Sequence, residues 1–247
     1  MKELFLQAVR LKSAEELGYV ARIPAIRHLK RLVFPSQVTF FVGENGSGKS
    51  TLLEGIAVAM GFNPEGGTLN FSFSTSDTHS RLWGALTLER GIHRPRDGFF
   101  LRAESFYNVA TYLEEMDRQP GISGVFGSYG GKSLHAQSHG ESFMALCLHR
   151  FGGRGLYLLD EPEAALSPQN QMALLCRIHQ LAEEGSQFII ATHSPILMAY
   201  PGAVIYVIDQ SGIHRTEYRE TEHYQLTRSF LGNPERMLDY LFNDQEE

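Results

Sequence analysis

Cysteine is scarce in this chain of 247 residues: Cys147 and Cys176 are its only two. They lack metal-ligand spacing and fall in apolar, helix-like surroundings, which excludes a disulfide miniprotein and favours reduced core residues over a disulfide or a zinc site. They are expected to be reduced core residues of a cytosolic, cytoplasmic protein. Long apolar runs are missing as well. The most hydrophobic stretches, near 155–159 and 188–191, fall far short of the ~20 residues a membrane helix needs. Residues 1–6 hold no leader-like apolar core. No one sign of charge dominates, since 22 basic residues face 28 acidic ones for a net charge of −6, which excludes a histone-like polycation. A local patch is still open: residues 1–42 carry seven basic side chains against three acids, and 209–247 carry four arginines against nine acids. For that asymmetry a solvated face is favoured over a nucleic-acid stripe. Internal repeats and heptads are absent, so neither an array nor a coiled coil is expected. With 43% hydrophobic and 20% charged residues the composition is that of an ordinary globular protein.

What is present is alternation. Residues 4–9, 19–23 and 38–42 read as strands, the last as a continuous apolar run. That run ends at Gly43, and a helical pattern follows over 49–60. A Gly/Ser/Thr-rich stretch covers 63–80, with strand candidates at 86–88 and 99–101. Residues 105–118 read as a helix, and 120–131, with glycines at 121, 124, 127, 130 and 131, as a loop. Beyond 138 the pattern is helix (141–151), strand (156–160), helix (168–184), strand (188–191), short helix, strand (204–208), then an acidic helical tail from 221. Strands alternating with helices predict an α/β fold with a parallel sheet.

Gly43-Glu44-Asn45-Gly46-Ser47-Gly48-Lys49-Ser50 fits the pattern G-x-x-x-x-G-K-[ST], entered from an apolar strand and left by a helix. This composition would produce roughly 0.006 accidental matches in a chain of its length. Glycines let consecutive backbone N–H groups turn inward around a polyphosphate, and the helix N-terminus adds positive potential. Lys49 can reach β- and γ-phosphates, and the Ser50 hydroxyl can hold Mg²⁺. Gly43 through Ser50, with Thr51 after it, are therefore the candidate nucleotide contacts. Leu156-Tyr157-Leu158-Leu159-Asp160-Glu161 is an apolar strand ending in two acids. Such a strand tip can set Asp160 beside the magnesium on Ser50 and let Glu161 polarise an attacking water.

The ordered motifs resemble those of the ABC-type ATPase superfamily. Leu159-Asp160-Glu161-Pro162-Glu163 is similar to its Walker B strand and catalytic glutamate. Ala164-Ala165-Leu166-Ser167 resembles its D-loop, with Ser167 where an acid is usual, and Thr192-His193-Ser194 resembles its switch histidine. Gln137-Ser138-His139-Gly140-Glu141 stands where the family signature belongs; Ser138, Gly140 and Glu141 match it, while Gln137 and His139 depart. The resemblance spans 38–209. Within the superfamily it is nearest the ATPases grouped with DNA repair, chromosome structure and phage defence, as a compact member without coiled-coil arms.

The resemblance implies one domain over 1–247. Its parts are N-terminal strands (1–42), phosphate loop and helix (43–62), an insertion (63–137), signature, Walker B and switch histidine (138–209), and a helical tail (210–247). It implies a parallel-sheet core with an antiparallel N-terminal β subdomain and a helical signature subdomain. ATP and Mg²⁺ are the implied ligands. Lys49 and the loop amides would hold phosphate, Ser50 and Asp160 the metal, while Glu161 orients or deprotonates water and His193 steadies the γ-phosphate. Two ATP-bound subunits would pair head to tail, each supplying Ser138 and the Gly140 amide to the other's site. DNA or a neighbouring effector protein is the implied downstream partner. A transporter-coupling subunit, or a nucleotide-gated sensor with little hydrolysis, are the alternatives. No glutamine occurs between Gln37 and Gln119, where a transporter's Q-loop belongs, which counts against a membrane partner. Glu104 is the positional substitute. Tyr19 or Arg22 is a candidate for stacking on adenine, with a strand-edge role as the equal alternative. Arg81, Arg90, Arg94, Arg96 and Arg102 cluster near only two acids, Glu89 and Asp97, and suit either phosphate contact or ion pairing. Of the ten histidines only His193 has a motif behind it; the others default to surface or core polar roles. His139 reads as an exposed loop residue or as an extra donor across the dimer.

Overall fold

The computed structural model describes residues 3–15, 17–68, 80–102, 111 and 138–243. Apart from Thr111, which is helical, the helix expected over 105–118 lies outside the described residues, as do the glycine loop over 120–131, Glu104 and Gln137. In chain order, β1 (Leu6–Leu11) is followed by a 3₁₀ turn (Gly18–Arg22), α1 (Pro24–Arg27), β2 (Arg31–Val33), β3 (Val38–Val42) and α2 (Lys49–Met60). Next come α3 (Leu82–Ala85), β4 (Leu86–Arg90), β5 (Asp97–Arg102), α4 (His139–His149) and β6 (Gly155–Asp160). A 3₁₀ turn (Pro162–Ala165), α5 (Pro168–Glu183), β7 (Gln187–Ala191), α6 (Pro195–Met198), β8 (Val204–Asp209) and β9 (Gly212–Thr216) follow. The chain then forms α7 (Glu222–Gly232) and α8 (Pro234–Asn243).

The fold is α/β. A six-stranded sheet runs β5-β6-β7-β3-β8-β9, parallel throughout except for β9, and a separate antiparallel sheet runs β2-β1-β4. β3 is central and flanked on both sides, so all five of its residues are buried and its sequence is an unbroken apolar run. Its side chains alternate between two cores. Phe40 joins Phe99, Tyr157 and Phe188 against Phe143 and Leu146 of α4 and Leu174 and Ile178 of α5. Phe41 joins Phe100, Leu158 and Ile189 against Leu52, Leu53 and Ile56 of α2 and Leu6 and Val9 of β1. Each buried leucine or isoleucine contributes about 1.5–3 kcal/mol, so helices on one face and α2 with the small sheet on the other hold the parallel strands from both sides. The parallel strands β3, β6 and β7 are neighbours, and their carboxyl ends open together on one edge, where ligands of open α/β sheets bind.

Gln187 joins the two sheets. Fully buried at the start of β7, it accepts from the Phe5 and Leu6 N–H groups, each at 2.9 Å, and donates to Leu6 O at 2.8 Å.

Several expectations need correction. Residues 19–23 are not a strand. Gly18 at φ +56 turns the chain into a 3₁₀ turn, and Ile23 is extended because Pro24 follows it at the start of α1. The first strand lies two residues later than the pattern suggested, and β2 and β9 were not read from the sequence at all. Cys147 is buried, its thiol pushed well up by desolvation, but Cys176 is exposed on the outer side of α5 and is not a core residue. The two acids near the arginine cluster pair with arginines outside it. Glu89 serves Arg10 and Arg31, which hold its carboxyl down at about 2, and Asp97 accepts from Arg150 at 2.8 Å. Among the described residues no helix is long and apolar enough to cross a membrane.

Candidate functional site

The loop after β3 closes only because its glycines are glycines. Gly43 (φ +152), Gly46 (φ +80) and Gly48 (φ +99) occupy backbone space that side chains rarely enter. A Cβ on Gly43 would lie 2.2 Å from Ile208 O, and one on Gly48 would lie 2.2 Å from Ile23 Cγ2. The Gly48 contact explains the misread 19–23 segment: it is folded against the loop, with the Ala25 N–H donating to Ser47 O at 3.0 Å. Glu44, Asn45 and Gly46 are exposed at the rim, and Ser47 is buried with its Oγ unpartnered among the described residues.

Lys49 opens α2 and is 4% exposed. Its Nζ donates to Gly43 O at 2.8 Å and to Glu44 O at 3.0 Å, so the ammonium already sits inside the ring of the loop. Burial lowers its pKa, while the Glu161, Asp160 and Glu163 carboxylates work the other way. Ser50 Oγ donates to Asp160 Oδ1 at 2.9 Å, and Thr51 is half-buried in the same helical turn. A hydroxyl and a carboxylate side by side below a buried ammonium form the oxygen set a Mg²⁺ ion would use beside a polyphosphate. The residues fit both groups.

Asp160 ends β6. Glu161 adopts φ +48, ψ +52, left-handed backbone that costs a non-glycine residue about 1–2 kcal/mol. Its N–H donates to Ala191 O at 2.9 Å, so the strained residue is fixed to the neighbouring strand. Its Oε1 lies 3.5 Å from His193 Nε2. Burial and Lys49 lower the His193 pKa, with Glu161 opposing them. The carboxyl ends of β3, β6 and β7 thus bring Lys49, Ser50, Asp160, Glu161 and His193 together.

A cavity of about 500 Å³ lies over the loop, lined by Gly43–Ser47, Val42, Pro24, the 207–211 turn, Glu222 and His223. Neither Tyr19, 77% exposed, nor Arg22 lines it. Ser138 and Gly140 do not line it either. Ser138 is exposed and caps α4: its Oγ accepts from the Glu141 N–H, while Glu141 Oε2 accepts from the Ser138 N–H at 2.9 Å. A Cβ on Gly140 would lie 2.8 Å from Ala165 O, so the start of α4 is pressed against the 162–165 turn. Ser167, where an acid was expected, is the N-cap of α5 and accepts from the Asn170 N–H at 3.3 Å. Serine and aspartate cap equally well, so the departure leaves that role intact.

Sequence families described as "AAA domain" and "AAA domain, putative AbiEii toxin, Type IV TA system" match residues 23–89 and 133–199. The first match contains the phosphate loop, and the second contains Asp160, Glu161 and His193. The chain is an ATPase, similar over these two segments to AAA-type families. The ATPase is 28% identical over 183 residues to the L-cystine transport system ATP-binding protein TcyN of Escherichia coli K12, covering 65% of this chain and 71% of that one. It is 27% identical over 172 residues to the ABC transporter G family member STR2 of Medicago truncatula; the match takes in 64% of this chain but only 24% of that protein's length. The solved SMC head domain from Thermotoga maritima superposes at a TM-score of 0.47 with 16% identity, over 87% of this chain and 100% of that one.

Three residues of the ATPase's site were not singled out for it from the sequence. Glu163 Oε1 accepts the His193 backbone N–H at 2.5 Å and so holds the switch turn; burial raises its pKa against the donors that lower it. Arg102, assigned above to a surface cluster, is half-buried, donating to Glu54 Oε2 at 2.9 Å with its Nε 3.7 Å from Asp160 Oδ2. His223, given only a surface or core polar role from the sequence, has its Nε2 3.1 Å from His193 Nδ1. The Glu-Pro-Glu spacing and a basic residue ending the strand beside Walker B were visible signals for Glu163 and Arg102. For His223, thirty residues beyond His193, the sequence carried none.

Proposed function

We propose that the protein hydrolyses MgATP between two head-to-tail copies of itself and passes the assembly state to DNA or to a partner protein. The single observation that carries this reading is the Ser50–Asp160 hydrogen bond beneath buried Lys49, with Glu161 and His193 facing each other 3.5 Å apart beside it. Bound Mg²⁺ would supply charge neutralisation on the β- and γ-phosphate oxygens. Lys49 and the N–H groups of Gly43–Thr51 would bind the phosphates, Ser50 and Asp160 would ligate the ion, Glu161 would orient or deprotonate water, and His193 would steady the γ-phosphate and that water. The exposed serine-capped start of α4 does not reach the cavity in its own chain, which supports Ser138 and Gly140 acting on the site of a second copy. Exposed Arg81, Arg94 and Arg96 supply cations suited to nucleic-acid phosphate.

Glu161→Gln removes the base but keeps the shape. The variant is expected to bind ATP, accumulate as a dimer in light scattering and lose turnover by about a hundredfold or more. Turnover within twofold of the parent removes Glu161 from the chemistry. Similarity to TcyN favours a second reading, an energy-coupling subunit of a transporter. Phosphate release measured with and without double-stranded DNA, beside co-purification with an integral membrane protein, separates the two.

A further inference from the structure

The start of α7 is tied to the switch turn. Thr221, 1% exposed, caps the helix by accepting from the Tyr224 N–H at 3.3 Å, and Tyr218 Oη donates to Pro195 O at 3.0 Å, at the head of α6. This anchoring sets His223 in the wall of the phosphate-loop cavity, with its Nε2 3.1 Å from His193 Nδ1 and the two rings 5.3 Å apart. Beyond that contact α7 itself contributes no buried residue to the core.

The proton positions follow from the partners. A hydrogen bond between two imidazole nitrogens needs one N–H and one bare nitrogen. Nε2 of His193 is buried and makes no hydrogen bond among the described residues, but it faces the acceptor oxygen Glu161 Oε1 at 3.5 Å, which places the N–H on that nitrogen. A neutral imidazole has a single N–H. His193 Nδ1 is therefore bare, and His223 Nε2 is the donor. Both rings are held neutral near pH 7, since burial and Lys49 lower the pKa of each.

We infer that His223 is a positioning residue, which locks His193 in the Nε2–H tautomer and aims that N–H at Glu161. The inference rests on the role proposed for His193 above. His223 touches no reacting atom; it acts through His193, as an orienting group fixes a catalytic imidazole elsewhere.

The test reads tautomers directly, by long-range ¹H–¹⁵N spectra of the imidazoles in the full chain without nucleotide. The parent is expected to show His193 as the Nε2–H form. His223→Gln retains an N–H donor and should preserve that form, whereas His223→Glu offers only an acceptor and should move the proton to Nδ1. Turnover should follow the proton: His223→Glu loses about tenfold or more in kcat with KM for MgATP unchanged, and His223→Gln retains most of what His223→Glu loses. A parent spectrum showing Nδ1–H, or a His193 tautomer and kcat untouched by His223→Glu, overturns the inference. His193→Ala keeps the two claims apart. If that variant turns over like the parent, the role proposed for His193 fails, while the spectra still decide whether His223 sets its tautomer.

Discussion

Gly48 shows what one residue of this site must satisfy. It is left-handed at φ +99, and the space where a Cβ would stand is filled by Ile23 Cγ2 at 2.2 Å and Ala25 Cβ at 2.9 Å. Gly48→Ala is expected to destabilise the fold by about 1–3 kcal/mol and to weaken ATP binding, because the 23–25 segment must withdraw from the loop. Urea unfolding and nucleotide titration check it; an unchanged midpoint contradicts the packing described. At this scale, residues whose chemistry depends on local sequence were legible. Gly43–Ser50 form one turn, Asp160 and Glu161 end one apolar strand, and His193 follows another. Glu163, Arg102 and His223 act through partners at a distance in the chain, and no local spacing encodes such a partner.

Elements with strong periodicity were legible almost to their ends. β3 was read at 38–42 and α2 at 49–60, because a strand buried on both faces and a helix closed by Gly61 at φ +103 carry their own signals. β9 was not read, since an edge strand of sequence Gly-Ile-His-Arg-Thr has half its side chains in water and little pattern. Gln187 belongs to this scale because it sets how β1 meets β7. Gln187→Leu would leave the Phe5 and Leu6 N–H groups and Leu6 O buried without their side-chain partner. A loss of about 2–4 kcal/mol is expected in chemical denaturation, with the larger part of it regained by no apolar replacement. A variant as stable as the parent would show that water reaches those groups.

The whole molecule feels the site through pH. His193 and His223 titrate below their ordinary 6.5 in the folded protein, burial being the leading cause for each. As pH falls below about 6.5 the unfolded chain therefore binds protons that the folded one still refuses, and stability declines. Their contribution is fully present above that pH and is lost toward the lower folded values. Glu163, raised by burial, has the opposite sign, its contribution fading as pH rises from its ordinary 4.5 through the raised value. Scanning calorimetry of the nucleotide-free protein should show Tm falling from pH 7 toward pH 5.5, and falling less in a His193→Asn, His223→Asn double variant. An equal fall in both proteins would deny the pair its burial. By itself the sequence determined the α/β alternation, the phosphate loop and the order of the acidic and imidazole groups, because each depends on neighbours within a few residues. Only the tertiary structure decided that segment 18–27 braces the loop, that Gln187 bridges two sheets, and that a C-terminal helix returns a second histidine to the first. Those are long-range contacts, chosen by which buried groups needed a partner and which surface the fold had left open.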